Sequence, residues 1–248
     1  MPRDPAERRL AVTDASPTLD LTAEEVLTTT RTVRRRLDLA RPVPRDVVEE
    51  CLRIAFQAPN GSNVQSYRWV VVDDPAVRAG MAAIYRASLA DQLAASQRAR
   101  EAGKRSIYPS SPAQDRISRS VTHLVDHLHE VPVLVVPTFT GRVERRAMFD
   151  QASAWGSVLP GVWNFMLALR TRGLGSAWTT LHLHREKEMA DLLGIPYERT
   201  SQAGLFPVAY TLGTDFRPGP RADLERHVHW NRWSDEDRPD AVAFGHDS

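Results

Sequence analysis

The sequence predicts one α+β domain that begins near Leu21. Short apolar runs bounded by proline or glycine indicate buried strands, and the segments between them show the three- and four-residue apolar spacing of helices. No internal repeat and no convincing linker follow residue 21. A chain of 248 residues can bury roughly 70 to 75% of its unfolded surface in a single fold. One domain, from residue 21 to residue 248, is therefore the economical prediction.

The first elements are an extension and two helices. Residues 1–20 are polar, contain proline and lack periodicity, which indicates a flexible N-terminal extension. Thr22 and Glu25 have the spacing of a capping box, so we expect a short helix after them. A second helix follows from about Arg45 to Gln57. Cys51 falls on its apolar face and is expected to be a buried core thiol.

A strand and a long helical region come next. Tyr67 to Val72 has the composition of a buried strand, and Pro75 begins a helical pattern that continues to about Gly103. The region from 82 to 129 is rich in Ala, Arg, Gln and Ser, and it is interrupted at Tyr108-Pro109-Ser110-Ser111-Pro112 before the helical spacing resumes. We interpret this region as a helical lid insertion.

The centre of the chain is strongly apolar. Val131 to Pro137 predicts a core strand with proline near each end. Asp150 to Arg172 is apolar on nearly every side, so this helix must be covered all round, and Pro160 predicts a kink or a break within it. A single small core does not comfortably cover such a helix. We therefore expect a second subunit to pack against it.

Three further elements complete the predicted domain. Gly173-Leu174-Gly175 ends the central helix and begins a strand that runs to about Thr180. A helix is expected near Glu186 to Leu193, and a last strand from Ala203 to Leu212. The remaining residues are polar.

The bulk composition excludes several classes of protein. A net charge of +1 provides none of the basic excess that indicates nucleic acid as a partner. Only Lys104 and Lys187 are lysines among the 32 basic residues, so the arginines must be judged by position. No apolar run reaches the length of a membrane span, and the first twenty residues lack the hydrophobic region of a signal peptide. We expect a cytoplasmic protein.

Several familiar motifs fail on inspection. Gly173-Leu174-Gly175-Ser176 begins like a dinucleotide fingerprint, but it follows a helix, enters a strand and lacks the third glycine. No Gly-rich Lys-Ser/Thr loop and no Gly-x-Ser-x-Gly elbow occur. His123 and His127 have the one-turn spacing of helical metal ligands, but no third ligand is evident. We expect no metal site and name no catalytic side chain.

Two polar segments carry the functional prediction. Arg31-Thr32-Val33-Arg34-Arg35-Arg36 places four guanidinium groups in six residues just after a helix pattern, and such groups bind phosphate bidentately. An isolated arginine run is usually a solvated helix end. Here, however, the loop Ala58 to Gln65 offers the amides of Asn63 and Gln65, which suit the edge of a heteroaromatic ring. Together the segments predict a site for a phosphorylated planar cofactor.

At these segments the chain resembles the nitroreductase family of FMN-dependent proteins, and the resemblance extends from residue 22 to residue 233. Arg31 and Arg35 fall on the two basic positions of the family's first element, and Val33 stands where serine is common. The loop matches the second element. Arg31 and Arg35 are therefore the candidates for binding the phosphate, and we interpret Arg34 and Arg36 as solvated side chains.

The resemblance also assigns roles to later residues. Thr179, Thr180 and Leu181 would run along the flavin ring near N5, Arg221 would reach the phosphate, and Arg68 is a candidate by chemistry for flavin N1 and O2. The implied FMN-binding residues are Arg31, Thr32, Val33, Arg35, Pro59, Asn60, Gly61, Ser62, Asn63, Gln65, Arg68, Thr179, Thr180, Leu181 and Arg221.

The resemblance implies a mostly antiparallel sheet flanked by helices in an intertwined homodimer, in which the loop reaches the FMN of the opposite subunit. The implied activity is ping-pong: NAD(P)H delivers a hydride to flavin N5, and an electron-poor acceptor such as a nitroaromatic or quinone then takes two electrons. Two alternatives stay open. One is another reaction on the same fold, flavin fragmentation or reductive dehalogenation, and the other is a protein that sequesters FMN without turnover.

Overall fold

The computed structural model describes residues 17–103 and 111–234, which form six α-helices and five β-strands. The helices are α1 (Ala23–Thr29), α2 (Arg45–Ala55), α3 (Pro75–Glu101), α4 (Pro112–His127), α5 (Met148–Thr171) and α6 (Glu186–Leu193). The strands are β1 (Tyr67–Val72), β2 (Val133–Thr140), β3 (Leu174–Ser176), β4 (Thr200–Gln202) and β5 (Phe206–Tyr210).

The five strands form one sheet, and each of its strand pairs is antiparallel. The order is β1-β2-β5-β3, and β4 pairs with the end of β2 that β5 leaves free. Pro137 lies between the residues of β2 that pair with β5 and those that pair with β4, so its missing N–H interrupts neither ladder. This register lets β2 extend three residues beyond the proline at which the sequence predicted its end.

Helices cover both faces of the sheet. Val133 and Val135 belong to the core cluster that contains residues of α2 and α5, whereas Leu134 and Val136 belong to the cluster that contains residues of α3, α4 and α6. This alternation is the period of two expected of a strand. Because β2 is buried on both faces, its sequence is a continuous apolar run. The predicted α+β class, with a mostly antiparallel sheet flanked by helices, is confirmed.

Local sequence explains how the helices begin. The Thr22 hydroxyl accepts a hydrogen bond from the backbone N–H of Glu25, and the Glu25 carboxylate accepts one from the Thr22 N–H at 2.8 Å, so the predicted capping box is confirmed. Asp74 caps α3 in the same way, with Pro75 in the first turn. Cys51 of α2 is fully buried, and burial raises the pKa of its thiol to about 12, which confirms a core cysteine.

The sequence predicted a kink or a break at Pro160; the central helix α5 is continuous from Met148 to Thr171, so a break does not occur. The carbonyl that loses its donor belongs to Gly156, four residues earlier, where the absence of a side chain leaves room for adjustment. Phe149 and Trp163 remain 79% and 38% exposed on this helix. The structure thus leaves an apolar stripe of α5 uncovered by its own chain, as the sequence led us to expect.

Other boundaries differ from the prediction. The strand expected to reach Thr180 ends at Ser176, the strand expected over 203–212 is confined to β5, and β4 was not predicted. The region interpreted as a lid comprises most of α3 together with α4. Parts of three predicted features lie outside the described residues: residues 1–16 of the extension, residues 104–110 of the lid and residues 235–248 of the domain.

Candidate functional site

The arginine segment runs along the outer edge of β3. Thr32 forms a parallel bridge with Ser176, and the Val33 N–H donates to the Ser176 carbonyl at 2.8 Å. Val33 is 6% exposed and packs inward. The Val33 side chain therefore contributes to the core, whereas Thr32 on one side of it is exposed and Arg34 on the other side is partly buried.

Gly175 makes this close approach possible. A Cβ atom at Gly175 would lie 2.7 Å from Thr211 Cγ2 and 3.0 Å from Val33 Cβ, distances that real Cβ atoms hardly ever show. The second glycine of the Gly-Leu-Gly sequence is thus needed to seat the arginine segment against the sheet. It has no part in binding a dinucleotide in the manner of a Rossmann fold.

Arg31 and Arg221 meet at the loop that contains Gly219. A Cβ atom at Gly219 would lie 3.0 Å from Arg221 Nη1 and 3.3 Å from Arg31 Nη2. Arg31 Nη1 also donates to the Arg217 carbonyl at 3.1 Å. The structure brings together two arginines that are 190 positions apart in the sequence, both exposed and, within the described ranges, neither paired with a carboxylate.

Arg35 lines a neighbouring pocket of about 200 Å³. The residues around this pocket are Thr32, Val33, Arg34, Arg35, Arg36, Ser120 and Phe216. Arg35 itself is exposed, and no ion pair to it occurs in the portion of the chain that the structure describes. Its charge helps to lower the pKa of His123, after the larger effects of burial and of His127. The pocket is consequently electropositive.

The interpretation as a solvated side chain is wrong for Arg34, whereas Arg36 is partly exposed but is engaged in an ion pair. Arg36 pairs with Asp215 at 2.6 Å and lies 4.3 Å from the centre of the Phe216 ring. Arg34 Nη1 donates to the Ser120 hydroxyl of α4 at 3.1 Å, and burial lowers the Arg34 pKa. The sequence showed only that both follow the helix pattern, because their partners lie 86 and 179 positions away.

Thr179, Thr180 and Leu181 follow β3 and are held by the strand region before β5. Thr179 and Leu205 exchange both backbone hydrogen bonds, at 2.8 and 3.2 Å, and the Thr179 hydroxyl donates to the same Leu205 carbonyl at 2.8 Å. Gly204 permits this contact, since a Cβ atom there would lie 3.1 Å from the Thr179 carbonyl oxygen. Thr180 is exposed beside this fixed residue.

The loop from Pro59 to Gln65 has an unusual backbone. Ser62, Asn63 and Gln65 have φ angles of 51°, 55° and 52°, in the left-handed region that side chains other than glycine seldom adopt. Such strain clusters at functional segments that their surroundings hold in place. Here Gln65 donates to Asn60 Oδ1 through its N–H and to Asn63 Oδ1 through its amide, each at 3.1 Å.

The loop is anchored to α5 at a distance from the arginines. The Gly61 N–H donates to the Ser157 hydroxyl at 2.9 Å, whereas Arg31 lines a cavity together with Arg170 of the same helix. Thirteen residues of helix separate Ser157 from Arg170, which is about 20 Å along the axis. Within one chain, the structure does not bring the two predicted halves of the site together.

The loop and the arginine segment also lie at opposite edges of the sheet. The loop leads into β1 at one end of the strand order, and the arginine segment bridges β3 at the other end. Three strand spacings amount to about 14 Å. Arg68 belongs to β1 and donates to the Tyr67 carbonyl at 2.8 Å, so it lies on the side of the loop.

The histidines form no metal site in the described part of the chain. The rings of His123 and His127 lie 4.5 Å apart between centres, but no group of three or more metal-binding side chains occurs among the residues described. His182 is fully buried after the Thr180 segment, and burial lowers its pKa to about 4. A buried neutral imidazole is thus part of the core beneath this segment.

The sequence prediction missed three residues that adjoin the site. Arg170 is 5% exposed within the apolar helix α5, Ser176 is 3% exposed in β3, and Phe216 contacts Arg36. A charged residue in a helix that is otherwise buried was a visible signal for Arg170. Nothing local distinguished Ser176 or Phe216.

Solved structures with this architecture define the fold class. The chain aligns with an iodotyrosine deiodinase bound to FMN and 3-iodo-L-tyrosine at 21% identity, over 85% of this chain and 99% of that one, with a TM-score of 0.62. A BluB-like flavoprotein from Clostridium difficile 630 has 14% identity, coverage of 86% and 100%, and a TM-score of 0.64. An FMN-dependent nitroreductase from Mycobacterium smegmatis in complex with NADPH has 18% identity, coverage of 85% and 98%, and a TM-score of 0.60.

The fold is therefore the nitroreductase-like fold. The sequence profile of the Nitroreductase family matches residues 27–210, about three quarters of the chain, so the chain belongs to the nitroreductase family. No curated protein matches its sequence. Among the described residues, no helix is both long and apolar enough to cross a membrane.

Proposed function

We propose that this protein is an FMN-dependent oxidoreductase that takes a hydride from NAD(P)H and passes two electrons to an electron-poor acceptor such as a nitroaromatic or a quinone. Membership of the nitroreductase family supports this reaction class. The observation that carries the proposal is the convergence of Arg31 and Arg221 on Gly219, beside the pocket lined by Arg35.

The residues on this side of the sheet fit a phosphorylated cofactor. Arg31, Arg35 and Arg221 are exposed and lack carboxylate partners in the described ranges, so their donors are available to a phosphate. Arg36, by contrast, is already neutralised by Asp215. Thr32 and Val33 would line the approach from the pocket. A bound phosphate would compensate the charge that the fold concentrates here.

The ring would lie against Thr179, Thr180 and Leu181. The double hydrogen bond between Thr179 and Leu205 fixes the backbone of this segment, which therefore offers a rigid edge to a planar ligand. FMN supplies the redox chemistry when it is bound, by accepting and releasing electron pairs at its ring. The task of the side chains is to bind, to orient and to stabilise negative charge, so no catalytic acid, base or nucleophile is proposed.

The remaining contacts would come from a second copy of the chain. The loop residues Pro59, Asn60, Gly61, Ser62, Asn63 and Gln65, together with Arg68, lie on the opposite side of the sheet from the arginines. A homodimer packed on the exposed stripe of α5 that includes Phe149 and Trp163 would cover that apolar surface and place one subunit's loop near the other's arginines. The strained, polar loop would then contact the FMN that the arginines of the other subunit bind.

Anaerobic mixing tests the reaction. The purified protein should show the absorbance of bound flavin, lose it rapidly when NADPH or NADH is added, and regain it when a nitroaromatic follows. Bound flavin that neither nucleotide bleaches would refute the reductase and favour the alternative of an FMN-sequestering protein. Bleaching without reoxidation by nitroaromatics or quinones would favour another reaction of the same fold, flavin fragmentation or reductive dehalogenation.

A further inference from the structure

A small cavity behind the arginine segment contains two polar groups without partners. Arg170 Nη1 and Ser176 Oγ are both buried and have no hydrogen-bond partner in the part of the chain that the structure describes. Both residues line the same cavity, next to Arg31. Buried polar groups are nearly always satisfied, so such a pair indicates an occupant.

The rest of the Arg170 guanidinium is bonded to neutral groups only. Its Nε and Nη2 donate to the Thr29 hydroxyl at 3.2 and 3.1 Å, and Nη2 also donates to the Thr214 carbonyl at 3.1 Å. The nearby Glu25 carboxylate is engaged by Thr22 in the capping box of α1. Arg170 is 95% buried and has no ion-pair partner among the described residues.

The lining of the cavity is electropositive. Arg31 and Arg170 contribute two positive charges, and none of the lining residues carries a carboxylate. The hydroxyl of Thr30, the other polar side chain of the lining, already donates to the Val26 carbonyl at 2.6 Å. Burial, followed by the charge of Arg36, lowers the pKa of Arg170. The positive charge of this guanidinium is therefore not balanced by a nearby carboxylate.

The size of the cavity limits its occupant. Its volume of about 10 Å³ is the minimum for one water molecule, so a chloride ion, which is slightly larger, would fill it and touch its walls. A phosphate ester, with five heavy atoms, does not fit. A water molecule would satisfy the two donors but would leave the buried charge uncompensated, whereas a monatomic anion satisfies both requirements.

We propose that the cavity between Arg170 and Ser176 binds a small monovalent anion of the size of chloride. The anion would accept hydrogen bonds from Arg170 Nη1 and from the Ser176 hydroxyl. It would sit behind Arg31 and balance part of the positive charge there. This site does not depend on the proposed reaction, because its two ligands, Arg170 and Ser176, are buried and are not among the residues proposed to bind FMN.

Crystals of the protein soaked in sodium bromide provide the direct test. An anomalous peak within hydrogen-bond distance of both Arg170 Nη1 and Ser176 Oγ is expected. Absence of a peak there would overturn the proposal, and so would bromide found only between Arg31 and Arg221, since that location is the proposed phosphate site.

Thermal unfolding provides a second readout in solution. At constant ionic strength and equal FMN occupancy, replacing gluconate by chloride or bromide should raise the melting temperature by a few degrees, because only the small anions bind the folded state. Equal melting temperatures in chloride and gluconate would contradict the proposal.

The variant Ser176→Ala removes one anion ligand while the backbone pairing of β3 stays possible. We expect the chloride concentration for half of the stabilisation to rise at least about tenfold, the loss expected for one hydrogen bond to an ion. Ser96→Ala, on the exposed surface of α3, is the matched control and should behave as the unmodified protein. Arg170→Met extends the test if it folds. An unchanged chloride dependence in Ser176→Ala would refute the site without any Arg170 variant.

Discussion

Replacing Arg31 and Arg221 together should release FMN from a protein that remains folded. Both guanidinium groups approach Gly219, and both side chains are exposed, so their removal leaves no buried charge or cavity. A hydrogen bond to a charged group contributes about 1.5 to 3 kcal/mol, which is roughly 10- to 150-fold in the dissociation constant for each arginine. Because the two would bind one phosphate, their effects should not add fully. We expect a combined loss of about 10² to 10⁴-fold.

Quenching of flavin fluorescence on titration of the FMN-free protein measures this loss. Arg31→Ala, Arg221→Ala and the double variant form a double-mutant cycle, and circular dichroism verifies the fold. Arg53→Ala is the matched control, because this arginine is exposed on α2 and its ion-pair partner within the described ranges is Glu49 of the same helix. If the double variant bound FMN within about threefold of the unmodified protein, the assignment of both arginines to the phosphate would be refuted.

Three further predictions concern stability and assembly. Gly175→Ala should cost about 1 to 3 kcal/mol by overpacking against Thr211 and Val33, and an unchanged melting temperature would show that the arginine segment is not seated as described. The pKa of His182 is about 4 in the folded protein and about 6.5 in the unfolded chain. Between these two values the unfolded chain binds a proton that the folded protein does not, so the free energy of unfolding falls as the pH decreases towards 4. Between pH 7 and pH 5 this residue should account for ~2 kcal/mol, a loss that urea unfolding of His182→Gln should no longer show. Trp163→Glu places a charge on the uncovered stripe of α5, and sedimentation should detect monomers; a variant that stays dimeric would place the interface elsewhere.

Sequence patterns predicted the elements whose causes are local. The capping box of Thr22 and Glu25 lies within four residues, and β1 was predicted with its observed ends, Tyr67 and Val72. The prediction that β1 is a buried strand is wrong, because β1 lies at the edge of the sheet and only Val72 is buried. β4 is different, because Thr200-Ser201-Gln202 has no apolar pattern and becomes a strand only through its partner β2. Pairing over long distances in the sequence decides such short strands.

The candidate site divides in the same way. The arginine cluster and the amide loop could be identified from the sequence, because each is defined by the side chains of neighbouring residues. Their separation by about 20 Å along α5 was not visible, because it depends on which turn of the helix each segment contacts. The distinction between arginines that are available to a ligand and arginines that already have a partner was also hidden, since Asp215 and Ser120 lie far away in the sequence from Arg36 and Arg34.

The central claim is that each site combines the arginines of one subunit with the loop of the other. Co-expression of two differently tagged chains, one Arg31→Ala/Arg221→Ala and the other Asn63→Ala/Gln65→Ala, yields heterodimers that tandem affinity steps can isolate. If the site spans the interface, one of the two sites in each heterodimer is intact, and we predict about one FMN per dimer, while either homodimer of variants holds almost none. FMN occupancy of the heterodimer no greater than that of the two homodimers would contradict the claim.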